Sequence, residues 1–193
     1  RRVGDAGGGW PGTFQDAGAA ADALRAVARN APLDLHRVYA AGHSAGGQLA
    51  LWLAARGKLP ADSALQAPSP LQIRGVLGLA AITDMDAYRI GPAGSCHVSV
   101  DEVLEGDPGS EPAHYAQTSP RRLLPLGVPQ AFVQGEEDPI VAPQSVRAFK
   151  QLIAGAEDAG LEHQLARERE HFLACARTAD FRARVTAFLR KRA

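Results

Sequence analysis

The sequence predicts an α/β fold, a mostly parallel sheet with helices on both faces. Three observations predict it. Short apolar runs alternate with helical stretches along nearly the whole chain. One run, residues 75–80, is apolar without interruption, as strands buried on both faces are. Between a β-branched run and a helical one lies Gly42-His43-Ser44-Ala45-Gly46-Gly47, a reversal built from small residues.

In chain order, a first helix is expected over residues 13–30, with Thr13 as N-cap, Asp16 three residues on, and an apolar stripe of Ala20, Leu24 and Val27. Residues 37–41 read as a strand and 48–56 as a helix; 60–70, rich in Pro, Ala and Ser, read as a loop. A buried strand over 75–80 ends at Ile82-Thr83-Asp84. Between 86 and 125 periodicity weakens, and Gly and Pro divide short helical pieces such as 100–104. A strand over 128–134, a helix over 143–159, a short strand near 161–167 and a last helix over 174–192 complete the alternation. There are no internal repeats, and one domain is expected over 1–193.

Composition narrows the function classes. The 193 residues can bury a substantial core, and 46% hydrophobic with 22% charged residues is ordinary for a globular protein. The 21 basic and 21 acidic residues cancel, which offers no general attraction for nucleic acid or an anionic membrane. No apolar run approaches the roughly 20 residues that span a bilayer. Cys96 and Cys175 form no metal-ligand spacing and no disulfide framework, which favours a reducing, cytoplasmic setting. No phosphate loop or ligand cluster calls for a cofactor or metal.

The chemistry lies in the hexapeptide. Strand, G-x-S-x-G, helix is the context that lifts a serine hydroxyl clear of the backbone. It leaves the Ala45 N–H, at a helix N-terminus, facing a developing oxyanion. Gly42 and Gly46 are expected to let strand and helix approach without Cβ clashes. A serine needs a base and an acid, which in this architecture follow in the order Ser, Asp or Glu, His. Asp138 stands in Gly135-Glu136-Glu137-Asp138-Pro139-Ile140-Val141, just past the carboxyl end of a strand, where α/β sheets bind ligands. Pro139 biases it toward an extended backbone. His171 follows Asp138 and precedes the last helix, where the base is expected; His163 is the alternative base. His43, inside the elbow, is expected to point away from the nucleophile and to pack or cap. Together with Ala45 and Asp84 it is carried as a neighbour of the oxyanion and substrate.

On the elbow, the Asp138 segment and His171-Phe172, the chain resembles an α/β-hydrolase, of the branch that includes arylformamidases, small carboxylesterases and prolyl-oligopeptidase-like hydrolases. Arg1-Arg2-Val3-Gly4-Asp5 and Gly8-Gly9-Trp10-Pro11-Gly12-Thr13-Phe14-Gln15-Asp16 resemble the same branch, where they link the fourth strand to the following helix. One departure is Glu170, where the family has glycine before its histidine. The resemblance implies that 86–125 is a cap-like excursion over the site and that Asp84 is an alternative acid. It also implies upstream strands and a His-Gly-Gly type loop supplying the second oxyanion donor, neither of which precedes Ser44 here. The chain is therefore expected to be an N-terminally truncated α/β-hydrolase fold and weakly active by itself. Its elbow strand would be an exposed edge prone to dimerisation.

The expected activity is hydrolysis of a carboxylic ester or related acyl bond through Ser44, His171 and Asp138 and an acyl-enzyme, on a small ester or amide substrate. An arylformamidase or peptidase of the same fold, a binding-only remnant of it, and an unrelated α/β protein with a fortuitous turn are the alternatives.

Overall fold

The computed structural model describes residues 8–91 and 95–135, with Asp138, Val141, Pro143 and Arg147. The chain divides into two compact units, Arg1–Val146 and Arg147–Ala193, and the strands and helices described all belong to the first. Apart from Pro143 and Arg147, the elements expected over 143–159, 161–167 and 174–192, and His163, His171 and Cys175, lie outside the described residues.

The first helix, α1, runs Gly12–Val27. Thr13 does not cap it: the residue sits inside the first turn, and its hydroxyl accepts the Gly9 N–H at 3.0 Å. Nor is the Ala20, Leu24, Val27 stripe the buried face, since Ala20 and Val27 are exposed. The buried residues are Phe14 and Gly18. A Cβ on Gly18 would stand 2.6 Å from Arg56 Nη1 and 3.8 Å from Trp52. A close approach to a guanidinium and an indole selected this face, which counting apolar residues cannot foresee.

Strand β1 (Ala40–His43), helix α2 (Ala45–Ala55), strand β2 (Val76–Leu79) and strand β3 (Gln130–Val133) follow as the alternation predicts. Both strand pairings are parallel, in the order β1-β2-β3. One register row joins Ala41, Leu77 and Ala131, and another joins His43, Leu79 and Val133. Ala40, Gly42, Val76, Gly78 and Phe132 face α2, while Ala41, His43, Leu77, Ala131 and Val133 are exposed on the opposite face. Among the described residues β1 pairs only with β2.

Between β2 and β3 the chain forms α3 (Met85–Tyr88), α4 (Ser99–Leu104) and α5 (Pro112–Thr118), with 3₁₀ turns at Cys96–Val98 and Pro120–Leu123. These pieces are built into the core. Val100, Leu104 and Tyr115 pack in one cluster with Phe14, Trp52, Ile82, Met85 and Val141. Polar bonds fix them to α2: Gln48 Nε2 donates to the Thr118 carbonyl at 2.8 Å and Trp52 Nε1 to the Gln117 carbonyl at 3.0 Å. Within the segment, Arg89 grips Asp101 with two bonds of 2.7 and 2.6 Å, and the Tyr115 hydroxyl donates to the same carboxylate at 2.6 Å.

Candidate active site

The site begins with Ser44, the residue between β1 and α2. Its backbone has φ 54° and ψ −120°, a left-handed conformation that costs a non-glycine residue about 1–3 kcal/mol. Four backbone bonds hold it there. The Ser44 N–H donates to the Leu79 carbonyl at 2.9 Å. The Ser44 carbonyl accepts from Gly47, Gln48 and Ile82 at 3.0, 3.1 and 3.2 Å. The turn is thereby clamped to the end of β2. The serine hydroxyl does not cap α2, so its side chain is not spent on the helix. Ala45 is the first residue of α2 and is exposed, so its N–H has no intrahelical acceptor.

The glycine requirement falls partly on a residue other than the expected one. A Cβ on Gly42 would meet the Gly46 carbonyl oxygen at 2.1 Å, and one on Gly47 would meet Ala81 Cβ at 2.5 Å. At Gly46 nothing lies within 4 Å. Gly42 and Gly47 thus permit the strand–helix crossing, whereas Gly46 faces open space.

Asp138 stands beyond the end of β3, at the same edge of the sheet as Ser44. One strand separates β1 from β3, which places their axes about 10 Å apart. The Asp138 carboxylate is held on both oxygens: Oδ1 accepts the Val141 N–H at 3.0 Å and Oδ2 accepts Gln134 Nε2 at 2.9 Å. Tyr88, at the start of the 86–125 segment, is electrostatically close. Burial first, then the Cys96 sulfur and the Asp138 carboxylate, push its phenol above the usual tyrosine range.

Asp84 ends in the capping role. It is the N-cap of α3, its Oδ1 accepting the Ala87 N–H at 3.1 Å, and its Oδ2 accepts Arg121 Nη1 at 2.8 Å. His43 is not packed: it is exposed on the sheet face away from α2, and it makes no cap among the described residues. His171 and the alternative His163 lie outside the described residues. Among the described residues no cluster of three His, Cys, Asp or Glu side chains could hold a metal, and no helix is long and apolar enough to cross a membrane. Sequence reasoning passed over Gln134 and Gln48, whose amides fix the Asp138 loop and the 86–125 segment. A polar residue interrupting an apolar run was the only signal either gave.

A model of the BD-FAE family matches residues 3–153, a span that ends before His171. No curated protein matches the chain. Among solved structures, a lipase/esterase from Lactobacillus plantarum superposes with a TM-score of 0.58 at 19% identity, over 74% of this chain and 52% of its own. A truncated carbohydrate esterase from gut microbiota gives 0.60 at 21% identity, over 77% and 57%. An acetyl ester-xyloside bifunctional hydrolase from Caldicellulosiruptor lactoaceticus gives 0.58 at 17% identity, over 74% and 51%. The chain thus spans a little over half the length of each of these three structures.

Proposed function

The chain belongs to the BD-FAE family and carries part of an α/β-hydrolase fold, and from that premise we propose that it is a serine hydrolase cleaving a carboxylic ester. The observation that carries the proposal is the strained Ser44, held by backbone bonds at the head of α2 with its hydroxyl unused by the helix. Such strain at an exposed turn has a use when it presents a nucleophile.

In the proposed reaction the Ser44 Oγ attacks the acyl carbon as His171 takes the hydroxyl proton. The Ala45 N–H meets the oxyanion, and Asp138 keeps the imidazole in the productive tautomer. Collapse of the tetrahedral species expels the alcohol, which leaves with the proton His171 returns. Water, deprotonated by the same base, then frees the acid from the acyl-enzyme. Asp138 is preferred to Asp84 because Asp84 is the N-cap of α3 and is ion-paired with the Arg121 guanidinium. The 86–125 segment supplies the substrate-side wall in this proposal, supported by Tyr88 lying within the field of Asp138.

The test is covalent labelling with a fluorophosphonate, followed by a panel of p-nitrophenyl esters, acetylated xylosides, N-formyl aromatic amines and short peptides. Acetylated sugars are included because two structural neighbours are described as a carbohydrate esterase and an acetyl ester-xyloside bifunctional hydrolase. Label on Ser44 that disappears in Ser44→Ala, with turnover greatest on esters, is the expected outcome. Absence of label in every condition would leave a binding role.

A further inference from the structure

Resting on that triad, we propose that Gln134 is a positioning residue that locks the Asp138 carboxylate through a closed ring of three hydrogen bonds with Val141. Gln134 Nε2 donates to Asp138 Oδ2 and to the Val141 carbonyl, each at 2.9 Å. The Val141 N–H closes the ring on Asp138 Oδ1 at 3.0 Å.

Two acceptors, a carboxylate and a carbonyl, converge on one nitrogen, so only an NH₂ group satisfies both; an amide turned the other way would set oxygen against oxygen. The orientation has a cost, because Gln134 Oε1 is buried without a hydrogen-bond partner among the described residues. A glutamine serving only to close a loop would gain nothing by orphaning its oxygen. This one directs both donors where the proposed acid needs them. Val141 anchors the ring to the molecule: its side chain is 6% exposed and packs in the cluster that includes Phe14 and Trp52. The position of the acid is therefore fixed to the same core that α2 rests on, through one amide at the end of β3. The bond from the Gln134 amide to the carboxylate is charge-assisted, and it strengthens as the local dielectric falls.

The test is p-nitrophenyl acetate hydrolysis by the protein carrying Gln134→Leu or Gln134→Glu, with Ser44→Ala and Asp138→Asn alongside. Gln134→Leu is expected to lower kcat about 10- to 100-fold with KM within about twofold, as displacement of a catalytic group does. Gln134→Glu is nearly isosteric and can donate only while protonated. Its activity relative to the parent should approach one at the acid end of the profile and fall about tenfold or more as pH rises and two carboxylates face each other. Should Gln134→Leu fail to fold, Gln134→Glu decides. Parental kcat in Gln134→Leu, or a loss in Gln134→Glu that is the same at every pH, overturns the positioning role. If Ser44→Ala and Asp138→Asn are then inactive, the triad itself stands. Parental turnover in Ser44→Ala sinks the hydrolase proposal and the positioning role with it.

Discussion

The ends of β1 and β3 carry the proposed nucleophile and the proposed acid, and they hold them by opposite means. At β1 no side chain takes part. Backbone bonds and the lack of two Cβ atoms keep Ser44 in a conformation it would not choose. At β3 a glutamine amide and the Val141 peptide group grip Asp138. The elbow is therefore sensitive to size and indifferent to polarity. The acid loop should show the reverse. A serine needs freedom of its hydroxyl with a fixed Cα, whereas an acid that orients an imidazole needs its terminal oxygens fixed.

The largest expected effect tests whether the two ends serve one reaction. Ser44→Ala should cut ester turnover by about 10⁵–10⁶, and Asp138→Asn by about 10⁴, if they act as nucleophile and orienting acid. Ser44→Ala should leave stability within about 0.5 kcal/mol of the parent, because its hydroxyl makes no cap bond. Urea unfolding and steady-state kinetics on the same samples check both halves. The next effect breaks the elbow sterically. Gly47→Ala, whose Cβ would stand 2.5 Å from Ala81 Cβ, should destabilise by about 3 kcal/mol. Gly46→Ala, with nothing within 4 Å, should be neutral or stabilising by up to about 1 kcal/mol. Equal urea midpoints for the two variants would contradict the steric account.

Much of this architecture was legible in the chain. β1, α2, β2 and β3 announce themselves because a buried parallel strand must be apolar and an elbow must be small. Those constraints act on adjacent residues. The placement of Asp138 past β3 follows from the same local grammar. What escaped was set by contacts distant in sequence. The buried face of α1 was chosen by Arg56, 38 positions beyond Gly18. The use of Gly47 rather than Gly46 depends on Ala81. Gln134 reads as the last residue of a strand, since nothing in the sequence says its amide turns toward Asp138. Asp84 could be either acid or cap on sequence alone, and only Arg121 and the Ala87 N–H committed it to the second.

The far end of α2 offers a polar counterpart to its apolar beginning. Arg56 is buried at the close of the helix and pairs with Asp22 of α1, whose carboxylate also accepts the Leu71 N–H at 2.7 Å. Burial alone would raise the Asp22 pKa, but the bonds from Arg56, Leu71 and Arg25 outweigh it and hold the carboxyl below its usual value. A group with a depressed folded-state pKa contributes stability above its unfolded pKa, about 3.9, and that contribution is lost as pH falls through the folded value. Urea titrations from pH 6 down to 3 should therefore show a loss of stability that is smaller in Asp22→Asn. An unchanged slope in that variant would assign the acid sensitivity to other carboxylates.

The smallest effect lies between the two ends, at Ala80, which follows β2 with φ 44°. Its N–H donates to the Val133 carbonyl at 2.8 Å, and two residues on, the Ile82 N–H donates to the Ser44 carbonyl at 3.2 Å. Ala80 thus carries strain of the same kind as Ser44 on the strand that joins nucleophile to acid, without any chemistry to perform. Ala80→Gly relieves the Cβ clash but gives the unfolded chain more freedom, so the two terms oppose each other. The relief is the larger, and a net gain of up to about 1 kcal/mol is expected in the urea midpoint. The labelling rate of Ser44 then separates two cases. An unchanged rate means the elbow is held by its own glycines and backbone bonds. A slower rate means the strained turn after β2 helps to press Ile82 against the Ser44 carbonyl, so that the steric end of the site begins one strand nearer to the polar one.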